Sequence, residues 1–156
     1  MWEILSTLFW SMVPIFELRF SIPWGFAHGM EWYVVYIVSV IGSMLPVPFI
    51  LLFVRKVFGL MKKWGGKFEK VALFFEERGV KKSDKVSKYA TLGLFLFVAI
   101  PLPGTGAWMG SLIAALTNMR FKHSIISVLL GIIVAGGLMT LISMGVVSGL
   151  DFLLKT

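Results

Sequence analysis

Glu17 and Arg19 stand two residues apart in the stretch PIFELRFSIP, residues 14–23, with a proline at each end and apolar residues on both sides. Charges in so apolar a setting must be paired, neutralised or used, because an isolated charge away from water is costly. Burial favours the neutral acid and a nearby cation favours the carboxylate, so a carboxyl here is poised to exchange a proton. Arg19 is its obvious partner. Side chains two apart on a helix diverge by about 200° and do not face each other, whereas in an extended turn they share a face. Pro14 and Pro23, as helix breakers, predict such a turn. The pair then either fastens the turn or forms a site where substrate and proton compete with the internal contact.

The second stretch is PLPGTG, residues 101–106. Pro101 and Pro103 interrupt a helix, and Gly104 and Gly106 let backbone amides approach a ligand closely. Thr105 is placed to cap a helix that starts near Ala107. The free N–H groups and positive dipole end of that helix favour an anion; the bland alternative is plain turn geometry. The candidate substrate- and proton-binding residues are therefore Glu17, Arg19, Gly104, Thr105 and Gly106, with Pro14, Pro23, Pro101 and Pro103 as the hairpin breakers. His28 and His123 are lone residues near expected boundaries. With no metal cluster, P-loop or nucleophile–base set in the sequence, neither an enzyme nor a cofactor is expected.

The elements that must position these residues follow from hydropathy. Of the 156 residues 58% are apolar, against roughly 45–50% in soluble domains. Residues 32–54, 89–119 and 124–150 carry no charge, and about 20 such residues make a transmembrane helix. An all-α integral membrane protein is expected. Cysteine is absent, which excludes disulfides and thiolate chemistry. Met1-Trp2-Glu3 lacks the basic start of a secretory signal peptide, so none is expected.

The net charge of +7 falls entirely within residues 55–88, which hold eleven Lys/Arg and four Asp/Glu. In a membrane protein the positive-inside rule explains that block better than nucleic-acid binding and puts it in the cytoplasm. Val57, Leu60, Met61, Trp64, Phe68, Val71, Ala72 and Phe75 recur in it at helical spacing between lysines, which predicts an amphipathic helix on the inner leaflet, either as a topology anchor or gathering anionic lipid.

The first apolar segment is cut by its charges into arms of thirteen and eleven residues, each rising only about 17–20 Å as a helix, short of a ~30 Å hydrocarbon core. A single kinked span and a re-entrant hairpin both fit the segment; the prolines favour the hairpin. The expected organisation is a first repeat of re-entrant hairpin 2–28 and transmembrane helix 32–54, the linker 55–88, and a second repeat of re-entrant hairpin 89–119 and transmembrane helix 123–150. Sliding the halves by 89 residues aligns Pro14 with Pro103, Met30 with Met119 and Gly42 with Gly131. This is a weak internal repeat of the inverted kind, which in many secondary transporters places the site near the midplane. Thirteen of the fifteen basic residues, including Arg120 and Lys122, then lie inside, with both termini outside. The GxxxG pairs Gly25/Gly29, Gly106/Gly110 and Gly145/Gly149 suit close helix packing or a homodimer. Trp2, Trp24, Trp32 and Trp108 read as interfacial or packing aromatics.

PIFELRFSIP followed by PLPGTGAWMGSLIAA, residues 101–115, resembles the small multidrug export protein family, a compact relative of the DedA-type (SNARE-associated, or VTT) membrane proteins, over nearly the whole chain. The resemblance implies two re-entrant hairpins in an inverted repeat, a multi-pass protein of the cell (cytoplasmic) membrane, an acidic coupling role for Glu17 and an anion-binding role for Arg19. DedA relatives include proton-motive-force-dependent translocases of undecaprenyl phosphate. They carry arginines around a proline in the second hairpin, whereas here both charges lie in the first. Three readings follow: proton-coupled translocation (a lipid flippase) of a polyprenyl-phosphate type lipid, proton-coupled export of cationic hydrophobic compounds, and a non-transport membrane scaffold. The partners expected are membrane lipid, an anionic lipid or small-molecule substrate, and protons, without nucleic acid.

Overall fold

The computed structural model describes residues 1–64, 84–102, 105–117 and 119–154. Among them the chain forms seven helices, α1 Trp2–Met12, α2 Glu17–Ala27, α3 Trp32–Met44, α4 Pro46–Trp64, α5 Asp84–Ala99, α6 Ala107–Leu116 and α7 Phe121–Leu154.

The breaks have local causes. Helix α1 ends where Val13 turns extended, with ψ 130°, the conformation the residue before a proline prefers. Helix α2 closes in a Schellman turn: Gly29 sits at φ +71°, and the Met30 amide donates to the Gly25 carbonyl at 3.1 Å. Gly29 therefore serves as a cap and not, as its GxxxG spacing suggests, as a packing residue. Between α3 and α4 the chain barely breaks. Leu45 keeps helical angles, and Pro46 takes the first position of α4, where its missing N–H costs little. Residues Trp32–Val57 and Phe121–Val146 each run 26 residues, about 39 Å of helix and enough to cross a bilayer.

Helix α2 corrects one expectation. Pro23 does not break it but lies inside it. One backbone hydrogen bond is lost there, yet the exposed ring points away from the bundle while Leu18, Ile22 and Gly25 bury the opposite face. Packing outweighs the local preference. Helix α4 also continues past Val54 to Trp64, so the basic segment begins as part of the second half of the span. Residues 65–83 of the expected linker lie outside the described residues, as do Pro103 and Gly104, and α5 begins at Asp84, inside the segment expected as linker and before the hairpin start expected at residue 89.

Helices α1 and α2 fold back on each other, the Trp24 indole donating to the Ser6 hydroxyl at 3.3 Å and the Thr7 hydroxyl to the Met30 sulfur at 3.5 Å. Helix α7 is central, packing on α5, α2, α3 and α6, while α4 packs on α6. The interior combines an aliphatic core, with Ile22, Val35, Val47, Leu51, Val98 and Ile132 fully buried, and a set of small hydroxyl residues. Thr7, Ser11, Ser21, Ser39, Ser43, Ser111 and Ser124 are buried, whereas Phe49, Phe53 and Leu141 are exposed. Ser21 donates to Ser39 at 2.7 Å between α2 and α3, and Ser43 donates to the Ser11 carbonyl at 3.2 Å. Lipid chains are as apolar as leucine, so helices in a membrane gain by close approach through small residues and by hydrogen bonds between them.

Candidate functional site

The turn after α1 meets the turn before α6. Val13 to Phe16 form the first, and the Phe16 and Glu17 amides both donate to the Val13 carbonyl. Glu17 follows at φ +46°, a left-handed conformation that a non-glycine residue holds only when its surroundings enforce it. Here the enforcement is visible. The Glu17 side chain, 3% exposed, crosses to the N-terminus of α6, where Oε2 accepts the Ala107 amide at 3.3 Å and Oε1 the Trp108 amide at 3.0 Å. A carboxylate on the first-turn amides of a helix satisfies donors that would otherwise be orphaned and meets the positive end of the dipole.

Gly106, the cap residue of α6, makes this approach possible. Its φ of +131° and ψ of −169° lie in a region essentially reserved for glycine. A Cβ there would also overlap Oε2 of Glu17.

This arrangement overturns two expectations. Thr105 does not cap α6: Gly106 takes that position and the amides go to Glu17. Nor do Glu17 and Arg19 form an ion pair, the sole salt bridge among the described residues being between the amino terminus and Glu3. The physical reason is local: Glu17 opens α2 in a left-handed conformation, and its carboxylate goes to the α6 amides instead of to Arg19. Arg19 instead donates from Nη2 to the Thr105 hydroxyl at 2.6 Å. That hydroxyl is itself directed at the Ile100 and Leu102 carbonyls, at 2.8 and 2.9 Å. Glu17, Arg19, Thr105 and Gly106 are thus brought together, with Pro14 and Pro101 in the two turns.

Arg19 and Thr105 open onto a cavity of about 600 Å³ whose other walls are apolar: Pro14 and Ile15 from the first turn, Phe53 from α4, Trp108 and Met109 from α6. Glu17 does not line it. Beside it lies a more open hollow of about 800 Å³ that shares Ile50, Phe53 and Trp108 and ends at Arg55 and Lys56.

Several of these residues escape sequence reasoning. Trp108 reads as an interfacial or packing tryptophan; beyond either role, its amide holds Glu17, its indole donates to the Met12 carbonyl at 3.0 Å, and its ring borders both hollows. Its place two residues after Gly106 was the available signal. Phe16, Phe20, Trp24 and His28, four apart, form a continuous aromatic row, with Trp10 of α1 packing 5.2 Å from both phenylalanine rings. His28 belongs to this row, its Nδ1 lying 2.9 Å from the Trp24 carbonyl, and joins no cluster of metal-ligating residues among the described residues. Gly25 and Gly110 pack against Val35 and Val98 within the chain, so their small size serves the fold.

An interior that buries hydroxyl residues beside its aliphatic core, an apolar exterior and two helical runs of spanning length define an all-helical membrane protein. Residues 17–138 match the family described as "Putative small multi-drug export protein", and the chain belongs to that family, a transporter-type one by its description. Neither a curated protein nor a solved structure matches the chain.

Proposed function

We propose that this protein is a multi-pass transporter of the cell membrane whose cavity takes an anionic amphiphile, a polyprenyl phosphate or a lipid of that type. The observation that carries this reading is the placement of Arg19. Its guanidinium borders an apolar-walled cavity, is held by the neutral Thr105 hydroxyl, and makes no salt bridge among the described residues, the Glu17 carboxylate acting on it only from a distance. A phosphate oxygen would supply the missing charge, and the walls would take the chain. Titration of purified protein with a polyprenyl phosphate, followed by native mass spectrometry, tests it. Wild type should bind and Arg19→Ala should lose the equivalent held at Arg19; equal binding by both would remove Arg19 from the site.

Glu17 is the coupling residue in this reading. Its carboxylate pins α6 to α2 through two amides, and protonation would weaken both bonds by removing the charge. Proton uptake would then loosen the contact between the two turns.

An inverted repeat of re-entrant hairpins and spans, as in DedA-type proteins, is part of the same proposal. Supporting it, Gly42 of α3 lies against the Leu8 carbonyl and Ser11 of α1, and Gly131 of α7 lies against the Phe95 carbonyl and Val98 of α5. Helix α2 packs on α7 as α6 packs on α4. Arg55 donates to the Met119 carbonyl and sits 5.8 Å over the Phe121 ring, so the start of the basic segment and the residues before Arg120 and Lys122 share one end of the bundle. That is the side the positive-inside rule assigns to the cytoplasm.

The family description favours a second reading, exchange of a proton for a cationic hydrophobic compound at Glu17. Arg19 nearby would repel such a substrate, and Glu17 is closed off from the cavity. Expression in a drug-sensitive host separates the two: resistance that vanishes with Glu17→Gln would favour the cationic substrate.

A further inference from the structure

The hollow beyond Phe53 and Trp108 is chemically a second version of the first cavity. Its walls are apolar, from Phe49, Leu52 and Phe53 of α4 and Trp108 of α6, and its end carries two cations, Arg55 and Lys56. Lys56 is exposed and Arg55 half-buried. Arg55 spends Nη2 on the Met119 carbonyl and rests against Phe121, but its buried Nε has no hydrogen-bond partner. Among the described residues no carboxylate pairs with either cation. A partly desolvated guanidinium without a counter-charge is unfavourable unless an anion visits it. The rim faces sideways: Phe49 is 72% and Phe53 68% exposed, on a helix whose hydropathic length places it in the bilayer.

We propose that the Arg55–Lys56 hollow is a second station for a phosphate headgroup, that the occupant is a lipid of the surrounding bilayer, and that the Phe53–Trp108 wall divides this station from the one at Arg19. The proposal rests on the anionic reading of the Arg19 cavity and adds to it a route. A headgroup arriving along the membrane surface meets the exposed Lys56 first, while its chain lies against Phe49 and Phe53. It reaches Arg19 only by passing Trp108. Because the Trp108 amide also holds Glu17, displacement of that side chain and release of the α6 N-terminus are mechanically joined.

Stoichiometry tests the idea. Full-length protein in a neutral detergent is titrated with a polyprenyl phosphate and followed by native mass spectrometry, with phosphatidylcholine as the masked-headgroup control. Two equivalents should bind to wild type, and neither should be reproduced by the control. Lys56→Gln should leave one equivalent at unchanged affinity and weaken the other about tenfold, the worth of one charged hydrogen bond. Arg55→Gln should act on the same equivalent, and Arg19→Ala on the remaining one. Lys56 is exposed, so its replacement tests the proposal even where Arg55→Gln fails to fold. If both outer variants bind like wild type while Arg19→Ala loses its equivalent, the second station is refuted and the Arg19 reading stands. If Arg19→Ala changes nothing while Lys56→Gln loses binding, the Arg19 reading fails and the outer site stands alone. Displacement of the outer equivalent by inorganic phosphate at equal concentration would overturn the lipid as its occupant.

Discussion

A single methyl group at Gly106 is the sharpest perturbation the site offers. Alanine there meets two separate obstacles. The backbone at φ +131°, ψ −169° costs an alanine about 1–3 kcal/mol. The new Cβ also overlaps Oε2 of Glu17, so the carboxylate must leave the Ala107 and Trp108 amides. Losing one or both of those charged hydrogen bonds costs about 1.5–3 kcal/mol more. Gly106→Ala should therefore destabilise the protein by about 3–5 kcal/mol. In a Glu17→Ala background the overlap is gone and only the backbone cost of about 1–3 kcal/mol remains. The cycle then gives a coupling of about 2 kcal/mol between residues 89 positions apart in the chain, well above the few tenths seen for independent sites. Denaturant unfolding of the four proteins in mixed micelles measures it, and hydrogen exchange at the Ala107 and Trp108 amides reports whether Glu17 has let go. Equal costs for Gly106→Ala in both backgrounds would show that Glu17 does not occupy the α6 N-terminus.

Three further outcomes follow from the same packing. Gly42→Ala should destabilise by about 1–3 kcal/mol in micelle unfolding, because its Cβ overlaps the Ser11 hydroxyl and comes within 3.0 Å of the Leu8 carbonyl, whereas Gly93→Ala, in open space, should be neutral or slightly stabilising. Removing the Ser21–Ser39 bond in a double-mutant cycle should reveal a coupling of about 0.6 kcal/mol, the average for hydrogen bonds between membrane helices. With no native cysteine in the chain, Ala27→Cys should label from the outside and Arg120→Cys from the cytoplasm; labelling of Ala27→Cys only from the cytoplasm would make α1–α2 a full span and refute the inverted repeat.

Much of the architecture was legible because its causes are local. Long uncharged runs imply helices in lipid whatever their neighbours, since backbone groups there have no water to bond. Pro14 and Pro101 end helices by their own covalent geometry, and the turns were read where they stand. Pro23 does not stop α2, because backbone groups in lipid have no water to turn to and the helix keeps its remaining hydrogen bonds around the one that is lost. The serine interior was written in the sequence too, as Thr7/Ser11 and Ser39/Ser43 four apart. Serine on an apolar helix, however, carries no mark of facing inward until the neighbouring helix is in place.

Residue types and spacing by themselves determined that two charges and two broken helices lie within the apolar part of this chain, and that its basic residues gather in one segment. Only the tertiary structure decided what the charges touch. Glu17 finds its partners in amides ninety and ninety-one residues away, and Arg19 finds Thr105 eighty-six residues away. A carboxylate beside an arginine in sequence predicts a pair at short range. Glu17 instead opens α2 in a left-handed conformation, and the free N–H groups at the start of α6 take the carboxylate that the sequence would pair with the arginine.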